Sequence, residues 1–323
     1  MNDIWKPRVS VIVPCYNTAK YVTATLESVF AQTYRDYEVV VVNDGSPDTP
    51  ELERVLVPWT NRIVYVRTEN QGLAGARNNG IRASKGEFIA LLDSDDLWEP
   101  NYLEVQVRKL DEDPSADIVY PRARTFGDGE GSGAVLAASR GDVTFISLVQ
   151  ETCSVIVSVL ARRAAFERIG LFDSSLRSCE DFDMWLRCVK SGYRIIYHNE
   201  VLLRYRRRPG SLSADRVWMC ANAAKVLMKM RTAVQLTAEE REILERAIRR
   251  FEGKKLFFEG KRAFIAGDIS SAVDHLTQAN ALLDNTRLRM ILFLIRTVPH
   301  IVRTLYLWRL RQRESGVERR KAR

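Results

Sequence analysis

Histidine is nearly absent from this chain. Only His198, His275 and His300 occur, and none lies near a G-x-S-x-G elbow, so Ser/His/Asp hydrolysis is poorly supported. Cysteine is also sparse. Cys15, Cys153, Cys179, Cys188 and Cys220 are odd in number and form no C-x-x-C pair. That pattern argues for reduced thiols in a cytoplasmic compartment and against a disulfide framework or zinc site. The glycines of QGLAGARNNG fall at 72, 75 and 80, which is not G-x-G-x-x-G spacing, and no G-x-x-x-x-G-K-[ST] occurs. A dinucleotide fold and a P-loop are therefore both unsupported. The opening MNDIWKPRVS lacks an apolar core, so no secretory signal is expected, and there is no low-complexity tract or repeat array.

Excess charge is absent from most of the chain as well. The formal net charge is +8, but 11 basic and 2 acidic residues lie from Arg287 onward, leaving 38 basic and 39 acidic before it. A nucleic-acid binder would spread basic residues over a face of its folded domain. Here the positive charge belongs to the tail, so no nucleic-acid partner is expected.

The first 120 residues alternate between two periodicities. RVSVIVPCYN is a β-branched run stopped by Pro14, and AKYVTATLESVFAQT then sets Val22, Leu26, Val29 and Phe30 on one helical face. YEVVVVNDGS, IVYVRT, EFIALLDSDD and ADIVYPRARTF read as further strands, with helices between them in PELERVLVPW, GLAGARNNGIRAS and NYLEVQVRKLDED. Continuous apolar strands separated by amphipathic helices predict an α/β fold with a mainly parallel sheet covered on both faces. Ligands of such sheets bind at the carboxyl ends of the strands. Three strands end in polar clusters, PCYN, NDGSPD and DSDD, which should converge on one crevice. Residues 127–142 are rich in glycine and small residues and read as a loop or loose hairpin. From about Arg216 the pattern is helical, with a Gly-Asp turn in EGKRAFIAGDISSAVDHLTQAN.

The acidic cluster carries the chemistry. In IALLDSDDLWEP a buried strand runs into Asp93, Asp95 and Asp96, hard oxygen ligands suited to Mg²⁺ or Mn²⁺ bridging to substrate phosphates. Alternation along an extended strand would let Asp93 and Asp95 face one ligand. NDGS is a weaker signal, since it is also an ideal turn with Gly45 at positive φ. CEDFDMWLR places Glu180, Asp181 and Asp183 at what reads equally as an acidic first helical turn.

VSVIVPCYN, VVVNDGSPD, NQGLAGARNNGI, GEFIALLDSDD and CEDFDMWLR together, in this order, resemble the family 2 glycosyltransferases. The resemblance covers about residues 8–215. It implies a GT-A fold and transfer of a sugar from a nucleotide donor with inversion of configuration. It puts Pro14, Tyr16 and Asn17 along the nucleotide, Asp44 on the base, Arg77 approaching the nucleotide and Asp93 on the ribose side. Asp95 corresponds to the metal ligand bridging the diphosphate, with Asp96 as the alternative ligand. Asp181 matches the general base that removes the acceptor proton, and Glu180 its orienting neighbour.

Two segments depart from the family pattern. RYRRRPGSLS carries Arg208 where relatives often have histidine, so Arg207 or Arg208 is expected to clamp the diphosphate instead. GLFDSSL varies a segment beside the acceptor, so the acceptor is not borrowed from relatives. The expected domains are 1–215, with a nucleotide-binding part at 8–126 and an acceptor and base part at 143–215, followed by a helical region at 216–323. The expected partners are a nucleotide-sugar donor and a surface-glycan or lipid-linked acceptor. The alternatives are a sugar nucleotidyltransferase, which would ordinarily carry a GGxGTR-like stretch, and a catalytically silent sugar-nucleotide binder.

In the tail, Arg289, Arg296 and Arg303 recur every seven residues, which on one continuous helix would form a single basic stripe. An arginine at the bilayer centre is costly and Pro299 interrupts the run, so crossing is disfavoured. A peripheral membrane contact through 287–313, at the cytoplasmic face, fits that pattern better, with Tyr306, Trp308 and the leucines sinking into the interface.

Overall fold

The computed structural model of the chain describes residues 6–127, 133–136, 142–208 and 210–321. Most of the glycine-rich stretch 127–142 lies outside those residues, as do the first five residues of the opening segment. What is described there is one antiparallel bridge, Arg124 to Val135.

The expected alternation is present at the start. Strands β1 (Val9–Cys15), β2 (Tyr37–Asp44), β3 (Val64–Thr68) and β4 (Phe88–Leu91) alternate with helices α1 (Ala19–Phe30), α2 (Thr49–Leu56) and α3 (Gly72–Ala83). β5 (Leu97–Trp98), α4 (Tyr102–Glu112) and β6 (Ile118–Gly127) follow, then α5 (Phe145–Val149), β7 (Leu160–Arg162), α6 (Arg163–Ile169), α7 (Glu180–Lys190) and β8 (Ile195–Arg207). The strands form one eight-stranded sheet in the order β3-β2-β1-β4-β7-β6-β8-β5.

β1 is buried along its whole length, as a continuous β-branched run requires when both sheet faces are covered. Val9, Val11 and Val13 join Val22, Leu26 and Val29 of α1 in one core. On the opposite face α3 approaches closely at Gly80, where a Cβ would come within 2.3 Å of Ile12 Cγ2.

The sheet is more mixed than the mainly parallel one expected. β1–β2, β2–β3, β1–β4 and β6–β8 are parallel, whereas β4–β7, β6–β7 and β5–β8 are antiparallel. The antiparallel character comes from β5 and β7, of two and three residues, which are too short to show a period of their own.

Helices α8 (Arg216–Ala233), α9 (Ala238–Ala266), α10 (Ile269–Leu283), α11 (Thr286–Thr297) and α12 (Pro299–Lys321) complete the chain. The chain divides into two compact units. One runs to Ala214 and adds Lys229–Ile243; the other consists of Asp215–Met228 and the residues from Leu244 onward. The returning residues 229–243 carry ionic contacts within the first unit: Lys229 Nζ donates to Asp173 Oδ2 at 2.8 Å and to Asp183 Oδ1 at 2.6 Å, and Lys190 Nζ donates to Glu240 Oε2 at 2.8 Å.

Within the helical unit the Gly-Asp turn forms as read. Gly267 takes φ +96° and Asp268 caps α10 by accepting from Ser271 N at 3.0 Å. The tail is not one continuous helix. The chain breaks at Val298 and α12 begins at Pro299, its direction bent by 119° from that of α11. Proline starts a helix readily but cannot continue one. The seven-residue arginine stripe is thereby dispersed. Arg303 turns inward, its Nη2 donating to Ile265 O at 2.8 Å and its Nε to Phe264 O at 3.1 Å, while Arg296 Nη2 donates to Thr277 Oγ1 at 2.8 Å. Among the described residues no single helix is long and apolar enough to cross a membrane.

Candidate active site

The polar ends of β1, β2 and β4 are adjacent because their strands are neighbours in the parallel part of the sheet. After β1, Pro14 is buried, Tyr16 is half exposed, and Asn17 adopts a left-handed conformation at φ 53°. Asn17 N donates to Ser46 Oγ at 2.6 Å, which ties the first loop to the second.

That second loop turns as its sequence requires. Gly45 sits at φ +59°, and a Cβ there would lie 2.6 Å from Asn70 N. Asn43 Oδ1 accepts from Ser46 N at 2.9 Å and so builds the turn. Asp44 is buried, accepts from Gln71 N at 2.8 Å, and is pushed up from the ordinary aspartate range by burial, against the pull of the Gln71 and Gly72 amides.

The third loop is not an extended continuation of β4. Asp96 N donates to Asp93 O at 3.0 Å and closes a turn, so strand alternation does not govern where its aspartates point. Thr25 Oγ1 of α1 anchors the turn by donating to Ser94 O at 3.0 Å and Asp96 O at 2.8 Å. Each aspartate then has its own cation or amide. Asp93 Oδ1 accepts from Arg77 Nη2 at 2.7 Å. Asp95 Oδ2 accepts from Arg208 Nε at 2.6 Å. Asp96 faces inward at 1% exposure, with Oδ1 accepting from Arg206 N at 2.7 Å. Burial is the main force raising Asp95, opposed by Arg208. Burial and the charges of Asp93 and Asp95 raise Asp96 further. Of the two metal candidates, Asp95 therefore presents the more open carboxylate.

The second acidic segment, Glu180 and Asp181, arrives on α7, whose N-cap, Cys179, adopts φ 60°. A left-handed non-glycine residue is uncommon and worth noting where it delivers acids to a site. Glu180 accepts from Arg77 Nη1, so one guanidinium holds both the loop after β4 and the start of α7. Arg77 is placed to do this from α3, with its side chain only 2% exposed. The expectation had it approaching the nucleotide; in the structure both of its Nη atoms are bonded to protein carboxylates.

Asp181 is different. Its Oδ1 accepts from Phe182 N at 2.8 Å, and no ion-pair partner is present among the described residues. Burial and the neighbouring Glu180 charge raise its carboxyl to about 6, against the pull of Arg77. Asp183 and Trp185 are fully buried. Asp183 accepts from Arg187 Nε and Lys229 Nζ, and Trp185 packs edge-on to Phe172. Asn78 and Phe172 exchange two hydrogen bonds, at 2.8 and 2.9 Å, fixing this segment to α3.

The arginine run at the end of β8 divides by strand alternation. Arg206 and Arg208 point to the acidic loop, with Arg206 Nε donating to Asp95 O at 2.6 Å. Arg207 contacts neither Asp95 nor Asp96 and lies over the Tyr205 ring, 5.3 Å from its centroid. Arg206 is thus the residue that reading the run as RRR missed. The i, i+2 rule for strands, applied to RYRRR, selects it together with Arg208.

Among the described residues no group of three or more His, Cys, Asp or Glu side chains could hold a metal by itself. One or two carboxylates suffice, however, for an ion that arrives with its phosphates and keeps several waters. The Asp95 oxygen not bonded to Arg208, with Asp93 beside it, fits that description.

Residues 10–167 match the family model described as glycosyl transferase family 2. A putative teichuronic acid biosynthesis glycosyltransferase of Bacillus subtilis, TuaG, is 31% identical over 220 residues, covering 67% of this chain and 85% of that protein. The chain belongs to glycosyltransferase family 2. A Rickettsia felis protein named as an uncharacterized glycosyltransferase is 32% identical over 214 residues, covering 63% of this chain and 35% of that one. The family 2 chain spans between about a third and two thirds of the length of the rickettsial relatives it matches. Among solved structures, S. aureus TarS 1–349 in complex with UDP has a TM-score of 0.61 at 20% identity, covering 92% of this chain and 88% of that one. Mannosyltransferase PcManGT from Pyrobaculum calidifontis, in complex with GDP-Man and Mn²⁺, has a TM-score of 0.60 at 22% identity, covering 93% and 83%. These likenesses establish a GT-A type fold for the family 2 chain.

Proposed function

We propose that the chain transfers a sugar from a nucleoside-diphosphate donor to an acceptor hydroxyl by a single in-line displacement, with inversion at the anomeric carbon. The observation that carries this reading is the division of labour around Arg77. Its guanidinium binds Asp93 and Glu180 and leaves the adjacent Asp181 carboxylate without a cation. A base must be uncompensated to accept a proton, and a raised affinity for protons strengthens it while leaving it ionised near neutrality.

The residues divide into two groups. Asp44 receives the base of the donor, Pro14, Tyr16 and Asn17 lie along the nucleotide, and Asp93 takes the ribose side. Asp95 would hold the divalent ion, Mg²⁺ or Mn²⁺. When bound, that ion supplies positive charge to the departing diphosphate. Arg208 releases Asp95 and turns to the diphosphate, for which a planar guanidinium is well matched, with Arg206 beside it. On the other side Asp181 takes the proton of the acceptor hydroxyl as its oxygen bonds to the anomeric carbon. The bond from that carbon to the diphosphate oxygen breaks, and its electron pair leaves with the nucleotide.

UDP and GDP-Man in the structural neighbours support a sugar-nucleotide donor, and the name of the Bacillus relative supports a surface polysaccharide as acceptor class. We read the acceptor as a surface glycan or lipid-linked chain, met at the cytoplasmic face of a membrane. Incubation with a panel of sugar nucleotides and Mn²⁺ tests the reading. Release of nucleoside diphosphate from one donor supports it. Release of pyrophosphate from a sugar phosphate and a nucleoside triphosphate would instead favour nucleotidyl transfer.

A further inference from the structure

We propose that the outward faces of α11 and α12 form a docking surface for an anionic lipid membrane. Fifteen large apolar residues are markedly exposed among the described residues, and eight of them fall within residues 290–308. The most exposed are Phe293 at 66%, Ile301 at 60%, Leu305 at 59% and Trp308 at 58%. Single exposed apolar side chains are ordinary, but a concentration of this kind marks an interaction site.

These residues are not left over from core packing. Leu288, Leu292 and Ile295 supply the inward face of α11 and meet Val302 and Tyr306 of α12 in the helical unit's own core. Met290, Phe293 and Leu294 are spaced i, i+3, i+4 on the other side of α11, and Ile301, Leu305 and Trp308 are spaced i, i+4, i+7 on α12. Over residues 286–309 each helix is therefore apolar on two faces, and among the described residues only one of these faces joins the helical core. A helix of 12 residues is about 18 Å long, short of the roughly 30 Å of a hydrocarbon core, and the 119° break prevents α11 and α12 from acting as one straight span. Such a surface suits lying in the interface, with tryptophan at headgroup depth.

Charge selects the occupant. Arg296 and Arg303 bond to the protein, as described above, so the apolar face rather than an arginine stripe meets the partner. Arg287, Arg289 and Arg309 remain exposed beside it, and the sequence from Arg287 carries 11 basic against 2 acidic residues. A second copy docking here through the same surface would bring two such positive segments together, whereas an anionic membrane neutralises them. The proposal builds on the reading of an acceptor met at a membrane, and it fails separately from it because lipid binding and donor turnover are measured apart.

The test is flotation of the full chain with vesicles of phosphatidylcholine alone and of equal parts phosphatidylcholine and phosphatidylglycerol, at low salt. The comparison variants are Phe293→Gln/Trp308→Gln and Arg287→Gln/Arg309→Gln. Wild type should float with the mixed vesicles and remain below with phosphatidylcholine alone. Both double variants should lose binding by about tenfold or more while helical content and nucleoside diphosphate release stay unchanged. Absence of wild-type binding, or equal binding by the Phe293/Trp308 variant, would overturn the proposal. So would a concentration-dependent dimer, seen by sedimentation without vesicles, that disappears in that variant.

Discussion

Replacing Arg77 with leucine should destabilise the catalytic unit by about 3–5 kcal/mol, the usual cost of removing one partner from a buried ion pair. The two carboxylates it serves are unequally placed. Asp93 is 26% exposed and can turn to water, whereas the Glu180 side chain is only 5% exposed and loses its cation without a substitute. Most of the cost therefore falls on Glu180 at the entrance to α7. With a urea slope of about 1–3 kcal/mol per molar, the unfolding midpoint should fall by about 1 M or more. Urea unfolding followed by tryptophan fluorescence reads the loss. Arg77→Leu/Glu180→Gln should recover part of the loss at pH 7, because it removes the stranded charge. A loss below about 1 kcal/mol would refute the idea that Arg77 clamps the loop after β4 to the start of α7.

Arg208→Gln frees an Asp95 oxygen from a charged hydrogen bond of about 1.5–3 kcal/mol, so nucleotide-free Mn²⁺ binding should tighten by about tenfold while the KM for donor rises. Electron paramagnetic resonance of free Mn²⁺ measures the first effect, and unchanged Mn²⁺ affinity would mean that Arg208 does not compete for that carboxylate. Asp181→Asn should lower turnover by about 10²–10⁴ with donor binding near wild type; lost donor affinity at an intact rate would make Asp181 a binding residue. In wild type, kcat/KM should climb with pH through about 6 and then level, because the base acts only when ionised and burial with Glu180 raises its carboxyl. A flat profile across that range would remove Asp181 from the role.

How much of this was legible in the sequence depends on the range of the interaction. Long apolar runs ending in PCYN, NDGS and DSDD announced strand ends, and a shared sheet brings such ends together whatever else the chain does. The turn at Gly45 and the Gly-Asp turn at 267–268 were equally local and equally visible. What stayed hidden was pairing at a distance. Arg77 is separated by 103 residues from Glu180, and nothing local in its helix marks which carboxylates it will meet. Arg206 was overlooked for a different reason: three consecutive arginines hide an alternation that appears only once β8 is known to run to residue 207. The break at Val298 was half visible in Pro299. Its consequence, two apolar faces per helix, required knowing which face the helical core takes.

The measurement closest to the central claim is nucleoside diphosphate release from a sugar-nucleotide panel by wild type and Asp95→Ala, each with Mn²⁺ and with EDTA. The account predicts release by wild type from one donor class with Mn²⁺, its loss in EDTA, and its loss in Asp95→Ala although the variant unfolds like wild type. Full release by Asp95→Ala in EDTA, or no release from any donor by wild type, would contradict it.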